Sequence, residues 1–298
     1  MDALKQLQTF VSVVNLGSLS AAARAEGVVP AVIGRRLDAL EERLGAKLLV
    51  RTTRRVTLTQ EGAAFFEDGQ RILADLADAE AAVGSGSARV RGHLRISAPA
   101  GFGRRHVAPH VATFQRQHPE LRVTLDLSDR LVDLAGERID CAIRISELAD
   151  SSLVAVRLAE NRRVVVAAPS YLSTRGVPQT LDDLDRFECL SLGASQARGW
   201  TFKQDGELIS RKVSGVLECN DGAVLHEWAL AGYGLAWRSL WEVKDDLTDG
   251  RLVTVLDGYA SPDYPVYAVM PQRKHLPQRV RRFVDHLKTA YGAVGYWD

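Results

Sequence analysis

Arginine carries the most pointed chemistry in this 298-residue chain. Arg35 and Arg36 lie in Pro30-Ala31-Val32-Ile33-Gly34-Arg35-Arg36-Leu37-Asp38-Ala39-Leu40-Glu41, and Arg51, Arg54 and Arg55 follow closely. A guanidinium is a planar fork of donors that matches a phosphate or a guanine edge bidentately. Base reading also requires the backbone beside the fork to approach a groove, and the small residues Ala31 and Gly34 allow that approach. An exposed arginine run is ordinarily a solvated face; beside this helix it points to nucleic acid.

Residues 18–62 must position those groups. Gly17-Ser18 ends one helix and caps the next, since a serine oxygen accepts from an unpaired N–H of the first turn. Leu19, Ala22 and Ala23 make a small apolar face against which another helix packs closely. Gly27 permits the turn, and Pro30 suits the first position of the following helix, where a missing N–H costs nothing. There Ile33, Leu37, Leu40 and Leu44 recur at helical spacing and are expected to face inward. Ala31, Gly34, Arg35 and Asp38 take the opposite face. Val56 and Leu58 alternate beside the later arginines, as in a strand. Two helices across a glycine turn, followed by a basic ribbon, predict a winged helix-turn-helix. Residues 2–15 predict a supporting amphipathic helix with Leu4, Leu7, Phe10, Val11 and Val14 on one side.

Thr59 then caps a long helix reaching about Val83. Gly62, Phe65, Gly69, Ile72, Leu76, Ala79 and Val83 alternate steps of three and four, the period of a coiled-coil seam. Gly84-Ser85-Gly86-Ser87-Ala88 is a flexible linker by composition, and a domain boundary is expected there.

This stretch resembles the DNA-binding domain of LysR-type transcriptional regulators. The resemblance rests on Ser18-Leu19-Ser20-Ala21-Ala22-Ala23, Leu37-x-x-Leu40-Glu41, Leu44-Gly45-x-x-Leu48-x-x-Arg51 and Leu58-Thr59-x-x-Gly62, in that order. It implies DNA contact by Ser18, Ser20, Pro30, Ala31, Gly34, Arg35, Arg36, Arg51, Arg54 and Arg55, and subunit pairing through the long helix. Val29 and Gly34 each stand where the family often has serine. The first departure weakens a helix cap; the second leaves Arg35 as the firmer base reader.

Charge agrees with this division. The net charge of +1 hides a basic head, with nine Lys/Arg and five Asp/Glu in residues 1–60, and an acidic run, with three and six in residues 61–91. A basic end on a neutral body suits a protein that grips nucleic acid at one end. The start of the chain lacks a secretory pattern, no apolar run is long enough to span a bilayer, and the three cysteines lack Cys-x-x-Cys spacing. A reducing cytoplasm is the expected location.

Beyond Arg91 the pattern changes. Leu94 and Ile96 open a strand, residues 104–117 read as a helix, and residues 121–127 and 141–145 read as strands. Residues 164–168 form a continuous apolar run suited to a buried parallel strand. Asp205-Gly206 predicts a hairpin. A helix over 222–231, strands at 253–256 and 266–269 and a closing helix carrying Val280, Phe283, Val284, Leu287 and Tyr291 complete an α/β body. Asp140-Cys141-Ala142-Ile143-Arg144-Ile145, Asp150-Ser151-Ser152-Leu153 and Ala167-Ala168-Pro169-Ser170-Tyr171-Leu172 resemble the LysR effector domain. The resemblance implies two α/β subdomains, like those of periplasmic binding proteins, around a ligand cleft. The expected division is a winged helix-turn-helix at 1–59, a linker helix and hinge at 60–91, and an effector-binding domain at 92–298. Its subdomain I would be 92–162 plus 267–298, and subdomain II 163–266.

Ser97-Ala98-Pro99-Ala100-Gly101-Phe102-Gly103 leaves a strand and opens a helix, offering backbone N–H groups and a positive dipole end to a small anion. Pro99, Ala100, Gly101 and Phe102 form that edge, and Arg104 or Arg105 would assist if turned inward. His106 replaces the third glycine of a dinucleotide fingerprint. Ser128, Arg144, Ser146, Ser195, Trp200 and Asn220 lie in segments resembling other cleft edges, and each reads equally well as a satisfied loop or core residue. His106 and His110 share a metal-helix spacing, but no glutamate follows His106 and Pro109 intervenes. Asp182-Asp183 and Asp245-Asp246 read as solvated caps in preference to a catalytic dyad. Cys189 and Cys219 read as buried strand cysteines or as a redox pair.

The sequence thus predicts a DNA-binding transcriptional regulator, controlled by a small-molecule effector of which a small anion is one class. No cofactor, metal or catalytic residue is expected. The expected partners are double-stranded DNA, the effector, further copies of the chain as a homodimer or homotetramer, and RNA polymerase; no membrane is expected. The rivals are a solute-binding protein and a redox-sensing regulator without a small-molecule ligand.

Overall fold

The computed structural model describes residues 2–51, 56–83, 90–130, 133–134, 136–145, 153–193, 199–259, 264–272 and 276–297, without the side chains of 51, 78, 79 and 81–83. They form two compact units, Met1–His93 and Leu94–Asp298.

In the first unit α1 (Ala3–Leu16), α2 (Leu19–Glu26) and α3 (Pro30–Leu44) close around Phe10, Val13, Ala22, Ala23, Ile33, Leu37 and Leu40. The Asp2 carboxylate accepts from the Leu4 N–H, and Ser18 Oγ accepts from the Ala21 N–H, so each of the first two helices has a side-chain cap. Gly27 turns the chain between α2 and α3 at φ 66°, in the left-handed region that favours glycine. Val29 offers α3 no side-chain cap. Leu44, expected inside, is 38% exposed because α3 ends there and leaves the core.

The ribbon β1 (Leu49–Arg51) and β2 (Val56–Leu58) is antiparallel, with Leu49 opposite Leu58. Buried Glu41 anchors it, accepting from the N–H groups of Leu48 and Leu49 at 2.9 and 3.1 Å. Thr59 Oγ1 accepts from the Gly62 N–H and donates to the Lys47 carbonyl, fastening the ribbon to α4 (Gln60–Val83).

The first half of the α4 seam packs on its own unit. A Cβ at Gly62 would strike the Leu48 carbonyl, and one at Gly69 would lie 2.8 Å from Leu7 Cδ1. Phe65 packs 5.5 Å from Phe10, ring centroid to centroid. These residues form a close helix crossing, not weak knobs awaiting a partner helix. Farther along the seam, Ile72 is exposed and Leu76 half-buried.

The second unit holds two main sheets. The five-stranded one has the order β4 (Leu121–Leu127), β3 (Gly92–Ala98), β5 (Cys141–Ile145), β13 (Val266–Pro271) and β6 (Leu153–Ala159). The four-stranded one has the order β12 (Val253–Val255), β7 (Arg163–Ala167), β11 (Leu235–Ser239) and β8 (Cys189–Leu190). A hairpin, β9 (Trp200–Gln204) with β10 (Glu207–Arg211), turns at Asp205-Gly206, both with positive φ.

Two expectations change. The apolar strand β7 runs antiparallel to both neighbours. Its run reports burial on both faces, since Val165 and Ala167 enter one core and Val166 and Ala168 another; direction is set by which strands return beside it. The helix expected over 104–117 begins at α5 (Ala100–Phe102), passes through a π turn (Gly103–Val107) and continues as α6 (Ala108–Gln117). Ala108 N–H reaches the Gly103 carbonyl, five residues back, just before Pro109, which has no N–H to continue the ladder.

The remaining helices are α7 (Pro169–Arg175), α8 (Gly222–Leu230), α9 (Leu240–Thr248) and α10 (Gln278–Tyr291), with a 3-10 turn at Leu181–Arg186.

Candidate DNA-binding surface and effector cleft

The start of α3 presents Pro30, Ala31 and Arg35 to solvent, with Gly34 half-buried among them. Nothing lies within 4 Å of a Cβ built on Gly34, so that position faces open space. Ser20 is exposed on α2, while Ser18 directs its oxygen to the helix cap. Arg36 departs from the expectation. Its Nη1 lies 2.7 Å from Glu26 Oε2 and donates to Thr9 Oγ1 at 3.3 Å. Lys5 reaches the same Glu26 oxygen at 3.0 Å. Arg36 therefore braces the three helices from inside and is not part of the outward face. The Arg51 side chain, Arg54 and Arg55 lie outside the described residues.

In the second unit the expected anion seat is already filled by the chain. Asp129, in the turn after β4, accepts from the Ala100 N–H at 2.8 Å and the Gly222 N–H at 3.1 Å. Sequence reasoning missed Asp129; its only local signal was an aspartate following a strand, because the two N–H groups come from distant segments. Pro99, Ala100 and Gly101 are half-buried at this edge, and Gly101 faces the Trp241 ring. Phe102 is fully buried, 5.3 Å from Trp241 and 6.1 Å from Tyr291 between ring centroids, so it is an aromatic core residue. Trp200 is also fully buried, packed 6.5 Å from Trp237, because it lies on the inward side of the hairpin. Both side chains are buried among aromatic neighbours and turned away from solvent.

Ser128 Oγ accepts from the Arg130 N–H and shapes the Asp129 turn. Arg144 Nη1 donates to its neighbour's carbonyl, and its buried Nη2 has no hydrogen-bond partner among the described residues. Burial holds that guanidinium below its usual pKa. Asn220 is exposed, and Ser146 and Ser195 lie outside the described residues. Arg104 is exposed, and Arg105 turns toward α9 to pair with Asp245 at 2.9 Å.

The groups that suggested other chemistry have structural partners. His106 Nδ1 and His110 Nε2 both meet the Tyr296 hydroxyl, at 3.3 and 3.1 Å. Burial, then Arg105, then His110 lowers the His106 pKa to about 4. Asp183 completes a capping box with Thr180, Asp182 pairs with Arg211, and Asp246 holds His226 and Arg251. The Cys189 thiol is buried and pushed up to about 12, chiefly by desolvation. Cys219 N–H bonds to the Ser191 carbonyl in a parallel bridge, which sets it about three strand positions, or about 10 Å, from Cys189. A disulfide spans no more than about 7 Å between Cα atoms.

Residues 4–63 match the family described as "Bacterial regulatory helix-turn-helix protein, lysR family", and residues 87–292 match "LysR substrate binding domain". The chain belongs to the LysR family. It is 36% identical to the HTH-type transcriptional regulator DmlR of Escherichia coli (strain K12), over 96% of this chain and 93% of that protein. It is 37% identical to the HTH-type transcriptional activator TtdR of the same strain, over 95% and 92%. The solved structure of CrgA, a LysR-type transcriptional regulator from Neisseria meningitidis, is similar at a TM-score of 0.61 and 32% identity, covering 97% of this chain and 99% of that one. As a LysR-family protein, the chain is a DNA-binding transcriptional regulator with an N-terminal helix-turn-helix and an α/β effector-binding domain. Among the described residues, no helix is long and apolar enough to cross a membrane.

Proposed function

We propose that this LysR-family regulator reads its operator with Pro30, Ala31, Gly34 and Arg35 in the major groove, while Ser20, Arg51, Arg54 and Arg55 hold the flanking backbone. The outward face of α3 carries this reading: an exposed arginine beside an open glycine position, on a helix braced from behind by Arg36. Two copies pair along the distal half of α4, where Ile72 is exposed, and dyad-related helices meet the DNA about one helical turn apart. The protein works in the cytoplasm as a homodimer or homotetramer, without catalytic turnover.

Its effector is a small molecule bound between the two sheet-bearing halves of the second unit; a small anion would take the seat at Ala100 only by displacing the Asp129 carboxylate. Binding shifts the balance between two degrees of closure only by its differential affinity for them. Closure alters the spacing of DNA-binding dimers, and hence the promoter path available to RNA polymerase. A solute-binding role does not account for the helix-turn-helix, and a redox role lacks a cysteine pair within bonding distance.

Footprinting on the protein's own upstream DNA, with and without a panel of small carboxylates and phenols, tests this reading. A dyad-symmetric protected site whose length changes with one compound is expected. Protection that no compound alters would remove the effector half of the proposal. If that DNA is unprotected, genome-wide binding decides the operator reading, and an absence of specific sites would overturn it.

A further inference from the structure

Asp129 ties the two halves of the effector unit together. Its Oδ1 accepts from Ala100, which opens the helical run after β3 of the five-stranded sheet. Its Oδ2 accepts from Gly222, which opens α8, and α8 packs through Leu225 and Ala229 on the four-stranded sheet. One carboxylate therefore closes two helix ends that belong to different sheets. Both ends carry partial positive charge and repel when brought face to face; an anion between them turns that repulsion into two charge-assisted hydrogen bonds.

The turn is built to hold the carboxylate there. Ser128 N–H bonds to the Ala98 carbonyl at 3.0 Å, and Ser128 Oγ accepts from the Arg130 N–H at 3.3 Å, so Asp129 is fixed on both sides. Gly222 admits the buried Arg238 guanidinium against the same helix end, where a Cβ would collide with Nη2. Glu242 holds that guanidinium with both oxygens at 2.6 Å. Other contacts cross the same seam: Trp241 of α9 packs on Phe102 and His106, and Arg105 pairs with Asp245.

We propose that Asp129 is an internal latch that keeps the two halves of the effector unit closed without any bound ligand. The closed arrangement is then populated by the chain alone, and any effector works against or with this carboxylate. That last consequence rests on the effector reading above; the latch itself does not.

Amide hydrogen exchange and small-angle X-ray scattering of the full-length protein, without DNA or effector, test it. Asp129→Asn leaves one acceptor but points an amide NH2 at one of the two N–H groups. Exchange over residues 100–103 and 222–225 is expected to rise about tenfold in this variant, as charge-assisted bonds are lost. The radius of gyration should increase, while the amides of β5 and β7 stay protected and report an intact fold. Asp129→Ser can still cap Ala100 but is too short to reach Gly222, and it should open the unit as well. It carries the test if the asparagine variant does not fold. Unchanged exchange at 222–225, or raised exchange with unchanged scattering, would reduce Asp129 to a local cap and overturn the latch. Neither result bears on operator binding, so the latch and the regulator reading fail separately.

Discussion

Arg36 Nη1 lies 2.7 Å from Glu26 Oε2, whereas Arg35, its neighbour on α3, has no ion pair or hydrogen bond among the described residues. Successive residues of a helix point about 100° apart. That rotation sends one guanidinium into the groove between α1 and α2 and the other to solvent. Arg36→Ala should therefore lower the stability of the DNA-binding unit by roughly 1–3 kcal/mol, since it leaves the half-buried Glu26 carboxylate with Lys5 as its remaining charged partner. Arg35→Ala should leave the melting temperature unchanged and weaken operator binding by roughly 1–3 kcal/mol, with relaxed preference at the base it reads. Denaturant melts and binding to an operator library separate the two. An unchanged preference profile would remove Arg35 from base reading.

Gly62 lets α4 approach the backbone of the ribbon more closely than any side chain permits. Gly62→Ala places a methyl against the Leu48 carbonyl, and the backbone must move to accept it. A loss of roughly 1–3 kcal/mol or more is expected in the thermal or denaturant stability of the first unit. Gly69→Ala should cost less, because the Leu7 side chain it meets can rotate away.

Replacing Ile72 and Leu76 with glutamine should lower self-association without unfolding the unit, because Ile72 is exposed and Leu76 is half-buried. Sedimentation should show monomers at concentrations where the parent protein is dimeric. Operator affinity should fall with the loss of bivalency. Intact dimers with full affinity would exclude this part of α4 as the pairing surface.

His106 makes the second unit sensitive to acid. Its pKa is about 4 in the folded chain against 6.5 for the free side chain, so the unfolded state binds more protons between those values. The contribution of His106 to stability is complete above pH 6.5 and falls as pH drops toward 4. Burial lowers His110 and His286 as well, and both contribute with the same sign. In melts followed across this window, His106→Gln should show a shallower decline than the parent protein. Parallel slopes would assign the acid sensitivity to other groups.

Local pattern was enough to reveal the helix-turn-helix. Ile33, Leu37 and Leu40 repeat at the helical period, Ser18 caps a turn three residues on, and Gly27 and Asp205-Gly206 mark turns by backbone preference. Each signal spans only a few residues, so it can be read before the chain folds. The alternation of strands and helices likewise disclosed an α/β body. It could not show that β7 runs antiparallel to its neighbours, because an apolar run carries no direction.

Partners distant in sequence were set by tertiary structure alone. Arg36 reads like Arg35 until Glu26 is brought beside it, and Trp200 reads like a cleft residue until the hairpin turns it onto Trp237. Gly69 reads as a faulty coiled-coil knob until α1 crosses it. Asp129 shows no special pattern, yet it joins residues 29 and 93 positions away. By itself the sequence determined the helix-turn-helix and which face of α3 is small and cationic, since these follow from periodicity and backbone preference, whereas elements such as β6 and α9 carried no such signal. Which charges face outward and which brace the interior was decided only when the elements packed, because a side chain's partner is a matter of distance in space.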